Sequence, residues 1–247
     1  MLLITAASSI LALNLSSARI TQETVYDSVR SRDIPVRISF PASERKCTLR
    51  HKCAVALIAP GGGLGPDDYR FVAEIFNNFG YLAIGIQSVL PGDPSDGVSG
   101  NIIADRSPGW QRGVDDLHAV RRELSRKYPQ YEWKKSLTLV GHSNGGDYSS
   151  MALQQQPGFA QTLITLDNRR FPLPRSKSIR VLSIRGGDFP ADAGVLPTRL
   201  ITNRRCIVSI DGSRHDDMND RGPDWLKFRI RQVITSFVSE NHCEQQS

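Results

Sequence analysis

The sequence has no internal apolar run long enough to cross a lipid bilayer. Among its 247 residues, every internal apolar stretch stays below the roughly 18 to 20 residues that a transmembrane helix needs. Glycine and proline, with 20 and 14 residues, are too few and too irregularly placed for a collagen-like or low-complexity chain. A hydrophobic share of 39% also argues against disorder, so we expect a folded globular protein.

Cysteine is scarce and forms no metal or redox motif. The four cysteines, Cys47, Cys53, Cys206 and Cys243, contain no Cys-x-x-Cys pair, so a zinc site or thiol redox chemistry has little support. An even count in an exported chain favours two disulfides, and three pairings are possible. We prefer Cys47 with Cys53 and Cys206 with Cys243; four unpaired thiols are the alternative.

Neither the charge nor the glycine pattern indicates a nucleic acid or nucleotide partner. The net charge is +6, but lysine and arginine are scattered among acidic residues, and no basic segment is interleaved with aromatics. The glycine-rich stretch 61–65 lacks the Lys-Ser/Thr pair of a phosphate-binding loop. We expect no metal either, because the acidic residues Asp216, Asp217 and Asp220 are typical of a solvated polar turn.

The amino terminus has features of an export signal. Residues 1–18 carry no charged side chain, and Leu2 to Leu15 form an apolar stretch of signal-peptide length, with cleavage expected after Ala18. The usual basic residue before the apolar core is missing. We therefore expect a periplasmic or secreted protein with one domain over 19–247. The alternative is a cytoplasmic chain whose first segment packs on the domain.

Strand-like and helix-like segments alternate along the rest of the chain. Because alternating strands and helices form mostly parallel sheets with helices on both faces, we expect an α/β fold of three layers. A long loop is expected over 90–112, and helices before and after it follow the 3.6-residue apolar period. The predicted strands are 24–26, 36–40, 54–59, 81–86, 137–140, 163–166, 181–184 and 207–210.

The motif Gly-His-Ser-Asn-Gly-Gly at Gly141 to Gly146 carries the sharpest chemical signal. It follows an apolar strand and opens a helix, so Ser143 is expected on a strained, exposed turn where only glycine leaves room on either side. A serine hydroxyl is a poor nucleophile near neutral pH, and it needs a base, an acid and an oxyanion site.

Each of these partners has a candidate. His215 follows the last strand and is the expected base. Asp188, after strand 181–184, is the expected acid, and Asp192 is the alternative. The expected oxyanion donors are a backbone N–H of the glycine turn 61–63, where we favour Gly62, and the N–H of Asn144, which starts a helix. The remaining possible substrate contacts are Gly61, Gly63, Arg169 and Arg170.

On these motifs the chain resembles the α/β-hydrolase superfamily from about Thr24 onward. The resemblance implies a sheet of about eight strands, no cofactor, a small-molecule acyl substrate and an acyl-enzyme intermediate, as in a carboxylic ester hydrolase. An acyltransferase or peptidase with the same residues, or a non-catalytic binding protein on this scaffold, are the alternatives. Two features of this chain depart from the family pattern. Pro60 stands where a histidine often precedes the oxyanion glycines, and the link from Leu166 to Val181 is too short for a large cap domain.

Overall fold

The computed structural model describes residues 19–197 and 204–239. The expected export signal and Cys243 therefore lie outside the described residues. Four α-helices and eight strands are present in this part of the chain. The helices are α1 (Arg70–Asn78), α2 (Ile102–Lys127), α3 (Asn144–Gln155) and α4 (Asp224–Ser239). The strands are β1 (Ile20–Asp27), β2 (Arg32–Ser39), β3 (Cys53–Ala59), β4 (Leu82–Ile86), β5 (Tyr131–His142), β6 (Thr162–Leu166), β7 (Arg180–Arg185) and β8 (Arg205–Ser209).

The strands form one sheet in the order β1-β2-β4-β3-β5-β6-β7-β8. β1, β2 and β4 pair antiparallel, and every pair from β4 to β8 is parallel. The predicted α/β class, with a mostly parallel sheet of about eight strands, is confirmed. Parallel strands place their carboxyl ends along one edge, so the segments that follow β3, β5, β6, β7 and β8 meet there.

The sheet is buried on both faces, which explains the continuous apolar runs in its strands. Val55 and Leu57 of β3 belong to a core shared with α2 and α3, whereas Ala56 and Ile58 belong to a second core shared with α1 and α4. Successive side chains of a strand point to opposite faces, so a strand between two helical layers must be apolar at every position. This arrangement is the expected three-layer architecture.

The expected loop over 90–112 is wrong in its second half, because α2 begins at Ile102. The side chain of Asn101 accepts a hydrogen bond from the N–H of Ala104 at 3.1 Å and caps the helix. The carboxylate of Asp105 accepts from the N–H groups of Ser99 and Gly100. The Asn101 contact satisfies a donor of the first helical turn, and α2 continues past Pro108, which has no N–H to donate within the helix.

The predicted Cys47–Cys53 disulfide is present, and it closes the short loop before β3. The predicted partner of Cys206 lies outside the described residues. Residues 167–179, between β6 and β7, contain no helix or strand, which agrees with the expected lack of a large cap at this connection. Within 19–197 and 204–239, no helix is both long and apolar enough to cross a membrane.

Candidate active site

Ser143 lies in the sharp turn between β5 and α3. Its backbone has φ 50° and ψ −121°, a left-handed conformation that is costly for a residue with a side chain. Two hydrogen bonds fix the turn. The N–H of Ser143 donates to the carbonyl of Leu166 in β6 at 2.9 Å, and its carbonyl accepts from the N–H of Asp147 at 3.0 Å. The turn therefore holds the hydroxyl at the carboxyl edge of the sheet.

Close backbone packing explains the glycines around Ser143. A Cβ atom on Gly141 would collide with the backbone of Gly145, and one on Gly145 would collide with the carbonyl of Ala59. A Cβ on Gly146 would lie 2.7 Å from the Cβ of Asn168. Strand β5, helix α3 and strand β3 approach so closely that the turn tolerates hydrogen alone at these positions.

The hydroxyl of Ser143, the imidazole of His215 and the carboxylate of Asp167 form a hydrogen-bonded series. The Oγ of Ser143 lies 2.8 Å from the Nε2 of His215. The Nδ1 of the same ring lies 2.7 Å from the Oδ2 of Asp167. The structure thus brings Ser143 and His215 together as expected from the sequence. Such a series can pass a proton from the hydroxyl to the imidazole.

The carboxylate that meets the imidazole differs from the expected one. Asp188 instead accepts a hydrogen bond from the backbone N–H of His215 at 3.0 Å, so it holds the loop and not the ring. Asp192 pairs with Arg170 at 2.6 Å. The reason is topological: Asp167 directly follows β6, the strand adjacent to β5, whereas Asp188 follows β7, one strand further from Ser143. An aspartate directly after a buried strand was the missed signal.

Asp167 is fully buried and held as an anion. Burial raises the pKa of its carboxyl, but the hydrogen bond with His215, the charge of Arg185, the N–H of Gly186 and the bond from Arg169 together hold that pKa well below its usual range. Arg185 lies 2.9 Å from Oδ1 and Arg169 lies 2.8 Å from Oδ2. The charge that faces the imidazole is therefore permanent across the pH range of ordinary assays.

A small pocket opens over Ser143 and His215. Its volume is about 210 Å³, and neither Arg169 nor Arg170 lines it. Both arginines are instead paired with acids, so their expected substrate contact is not what the geometry shows. A larger groove of about 520 Å³ lies elsewhere, and none of the three side chains of the series lines it. The pocket over Ser143 is lined by Gly61, Gly62, Leu64, His142, Ser143, His215, Asp216, Asn219 and Arg221.

The glycine turn after β3 reaches the same pocket. The N–H of Gly61 donates to the hydroxyl of Tyr69 at 3.0 Å, so this group is not available to a substrate oxygen. Gly63 has φ 72°, which favours glycine. Gly62 lines the pocket, and a Cβ there would meet nothing within 4 Å. Asn144 starts α3, and the first N–H groups of a helix have no partner within the helix.

No metal-binding arrangement is found in the described part of the chain. Within 19–197 and 204–239, no group of three or more histidine, cysteine or acidic side chains could hold an ion. Of the acidic residues near His215, Asp216 lines the pocket. Asp220 accepts from the N–H of Arg70 at 2.5 Å and of Phe71 at 3.2 Å, and so stabilises the start of α1.

His142, directly before Ser143, is buried and neutral. Burial is the largest of the effects on its pKa and, with the nearby His215, lowers it to about 3. The unfolded chain has a His142 pKa of about 6.5 and therefore binds a proton below that pH which the folded chain does not bind. The contribution of His142 to the free energy of unfolding thus decreases as the pH falls from 6.5 towards 3.

We expect this effect to be measurable with His142→Gln, which cannot titrate. Between pH 7 and pH 5, the wild-type free energy of unfolding should fall by about 2 kcal/mol more than that of the variant. Urea denaturation of both proteins at the two pH values measures the difference. Asp116 and Asp147, whose pKa values burial raises to about 6, are common to both proteins and cancel. An equal pH dependence of the two proteins would show that His142 binds protons equally in the folded and unfolded states, against the lowered pKa.

Comparisons with known proteins give a match in structure alone. The sequence matches no protein-family model and no curated protein. Among solved structures, the chain is similar to a dienelactone hydrolase from Anabaena variabilis, with 16% identity, a TM-score of 0.59, and coverage of 90% of this chain and 98% of that one. The chain is also similar to the apo form of esterase 2 from Thermogutta terrifontis, with 14% identity, a TM-score of 0.63, and coverage of 94% of this chain and 97% of that one. Its similarity to Est1E from Butyrivibrio proteoclasticus has 14% identity, a TM-score of 0.60, and coverage of 89% of this chain and 98% of that one.

Proposed function

We propose that this chain, which has the fold of the α/β-hydrolase superfamily, is a serine hydrolase that cleaves carboxylic esters. One observation carries the proposal: Ser143 stands on a strained turn with its hydroxyl 2.8 Å from His215, whose ring is 2.7 Å from a buried, anionic Asp167. That one of the similar structures is named as an esterase and another as a dienelactone hydrolase supports ester chemistry over other acyl transfers.

The mechanism follows from the hydrogen-bonded series. His215 accepts the proton of Ser143 through Nε2 while the oxygen attacks the acyl carbonyl and forms a tetrahedral oxyanion. Asp167 keeps the proton of the ring on Nδ1 and stabilises the imidazolium that forms. His215 then gives its proton to the leaving alcohol, and an acyl-enzyme on Ser143 remains. Water then attacks this ester while His215 takes its proton, and His215 returns that proton to the Oγ of Ser143 as the acid is released.

The oxyanion donors we propose are the backbone N–H groups of Gly62 and Asn144. Gly62 lies in the wall of the pocket, and Asn144 stands at the amino terminus of α3, where the helix dipole favours negative charge. The Oδ1 of Asn144 accepts from the indole of Trp110 at 2.9 Å, which helps to fix the position of the residue. The donor that we propose is its backbone N–H.

We propose short acyl esters as the substrates. A pocket of about 210 Å³ lies below the roughly 300 to 1,000 Å³ typical of sites that enclose drug-sized ligands. Leu64 is the one aliphatic side chain among its lining residues, so a long acyl chain would find little apolar surface there. The polar lining favours a compact acid such as acetate or butyrate.

The proposed location is outside the cytoplasm. The expected export signal at 1–18 and the Cys47–Cys53 disulfide support it, because oxidising compartments retain disulfides. Amino-terminal sequencing of the protein recovered from the expression host tests the expected cleavage after Ala18.

Labelling with a fluorophosphonate probe tests the proposed chemistry. We expect one covalent adduct, which peptide mapping places on Ser143, and no adduct in Ser143→Ala. We also expect p-nitrophenyl acetate and butyrate to be hydrolysed faster than the palmitate ester. A folded wild-type protein that neither reacts with the probe nor hydrolyses any of the esters would favour a binding protein on a hydrolase scaffold.

A further inference from the structure

A chain of three hydrogen bonds joins the glycine turn to the loop that carries His215. The N–H of Gly61 donates to the hydroxyl oxygen of Tyr69 at 3.0 Å. That hydroxyl lies 2.6 Å from the Nδ1 of His142, and the Nε2 of His142 lies 3.0 Å from the backbone carbonyl of His215. Tyr69 and His142 are 1% and 3% exposed, so water has little access to these groups.

The geometry fixes where each proton lies. A carbonyl oxygen can only accept, so the Nε2 of His142 must carry the hydrogen that bonds to His215. Neutral His142 then has an unprotonated Nδ1, which accepts from the hydroxyl of Tyr69. The oxygen of Tyr69 in turn accepts from Gly61. The Tyr69 hydroxyl thus both donates and accepts, and the connection is complete only while His142 is neutral, the state that its burial favours.

This connection borders the pocket over Ser143. Gly61, His142 and His215 all line that pocket, and the rings of His142 and His215 lie 5.0 Å apart between centroids. A Cβ on Gly61 would lie 2.7 Å from the Nδ1 of His142, so the glycine turn packs directly on the His142 ring. A shift of His142 would therefore disturb both the glycine turn and the backbone of the loop that carries His215.

We infer that His142 and Tyr69 are positioning residues, which hold the glycine turn and the His215 loop at the separation that the reaction of Ser143 needs. This role rests on the function proposed above. Neither residue touches the substrate carbonyl or exchanges a proton with it. Neutral His142 has a second consequence: it places no positive charge beside the imidazolium that His215 becomes during the reaction.

Tyr69→Phe removes the central hydroxyl with little change in volume. We expect kcat for p-nitrophenyl acetate to fall roughly 10- to 100-fold, as for other small displacements of reacting groups, with KM within about threefold. Tyr148→Phe is the matched control. Its hydroxyl is equally buried but donates to Ser88 at 3.2 Å, outside the connection, so kcat should stay within about twofold of wild type.

His142 itself is tested by a conservative pair of variants. His142→Gln retains an N–H that can reach the carbonyl of His215, and we expect it to keep more activity than His142→Leu by about tenfold. Equal kcat values for these two variants, together with unchanged kcat in Tyr69→Phe, would overturn the inference.

A readout that needs no turnover separates this inference from the proposed function. The Nδ1–H proton of His215, which bonds to Asp167, should give a low-field NMR signal in the free protein. We expect Tyr69→Phe to shift or broaden that signal and Tyr148→Phe to leave it unchanged. A signal that Tyr69→Phe does not alter would contradict the positioning role even if the protein is an active esterase. A shifted signal in a protein without esterase activity would contradict the proposed function and support the positioning role.

Discussion

Replacing Ser143 with alanine is expected to lower kcat for p-nitrophenyl acetate by about 10⁶, the loss seen when the nucleophile of a serine hydrolase is removed. The variant cannot form the acyl-enzyme, and what is left of the site can only bind the ester and stabilise an oxyanion. The fold should survive, because the hydrogen bonds that hold the turn use the backbone of Ser143. Initial rates measure the loss of kcat, and a thermal melt measures whether the fold survives.

Ser150→Ala is the control for this change. Ser150 lies on α3, the helix that follows Ser143, and is fully buried, but in the described part of the chain its Oγ has no hydrogen-bond partner. Removing an unsatisfied buried hydroxyl is close to neutral for stability. We therefore expect Ser150→Ala to have wild-type kcat. Residual hydrolysis in Ser143→Ala within tenfold of wild type would show that another group forms the acyl-enzyme.

The sequence predicted the nucleophile turn and the sheet well because strong local rules govern both. Strands buried on two faces are largely apolar, as in β3, and a serine at positive φ between close backbones requires glycines at fixed spacing. His215 could be placed because it follows the last strand. These patterns depend on few distant contacts, so they can be recognised in a single sequence.

The acid could not be assigned in the same way. Asp167, Asp188 and Asp192 all follow strands at the carboxyl edge, and the choice depends on which strand lies beside β5. That order is a property of the whole sheet and not of any local pattern. Asp188 still serves the site, because it binds the backbone N–H of His215 and, through Arg169, connects to Asp167.

The start of α2 was missed for a similar reason. Residues 90–112 are rich in proline, glycine and serine, which favours a loop, and Pro108 argues against a helix. The contacts of Asp105 with Ser99 and Gly100 stabilise the helix start against this composition. Local preference was outweighed by side-chain capping, which depends on conformations that the composition does not reveal.

The two aspartates that contact His215 should have very different effects on catalysis. We expect Asp167→Asn to lower kcat by about 10⁴, as for asparagine at the same place in other serine hydrolases. Gly186 donates to Oδ1 at 3.1 Å, so the amide nitrogen of the new side chain would face the Nδ1 of His215. The ring would then carry its proton on Nε2, and it could not accept the proton of Ser143.

Asp188→Asn should leave kcat within about tenfold of wild type, because an amide oxygen can still accept the bond from the backbone N–H of His215. The test compares kcat of the two variants on p-nitrophenyl acetate. Denaturant titration gives the folded fraction of each protein, by which kcat is corrected. The correction matters because Asp167→Asn also leaves the buried guanidinium of Arg185 without its counter-charge, which costs stability. If Asp188→Asn instead caused the 10⁴ loss and Asp167→Asn did not, the acid would be the one that follows β7, and the loop that carries His215 would have to move during the reaction.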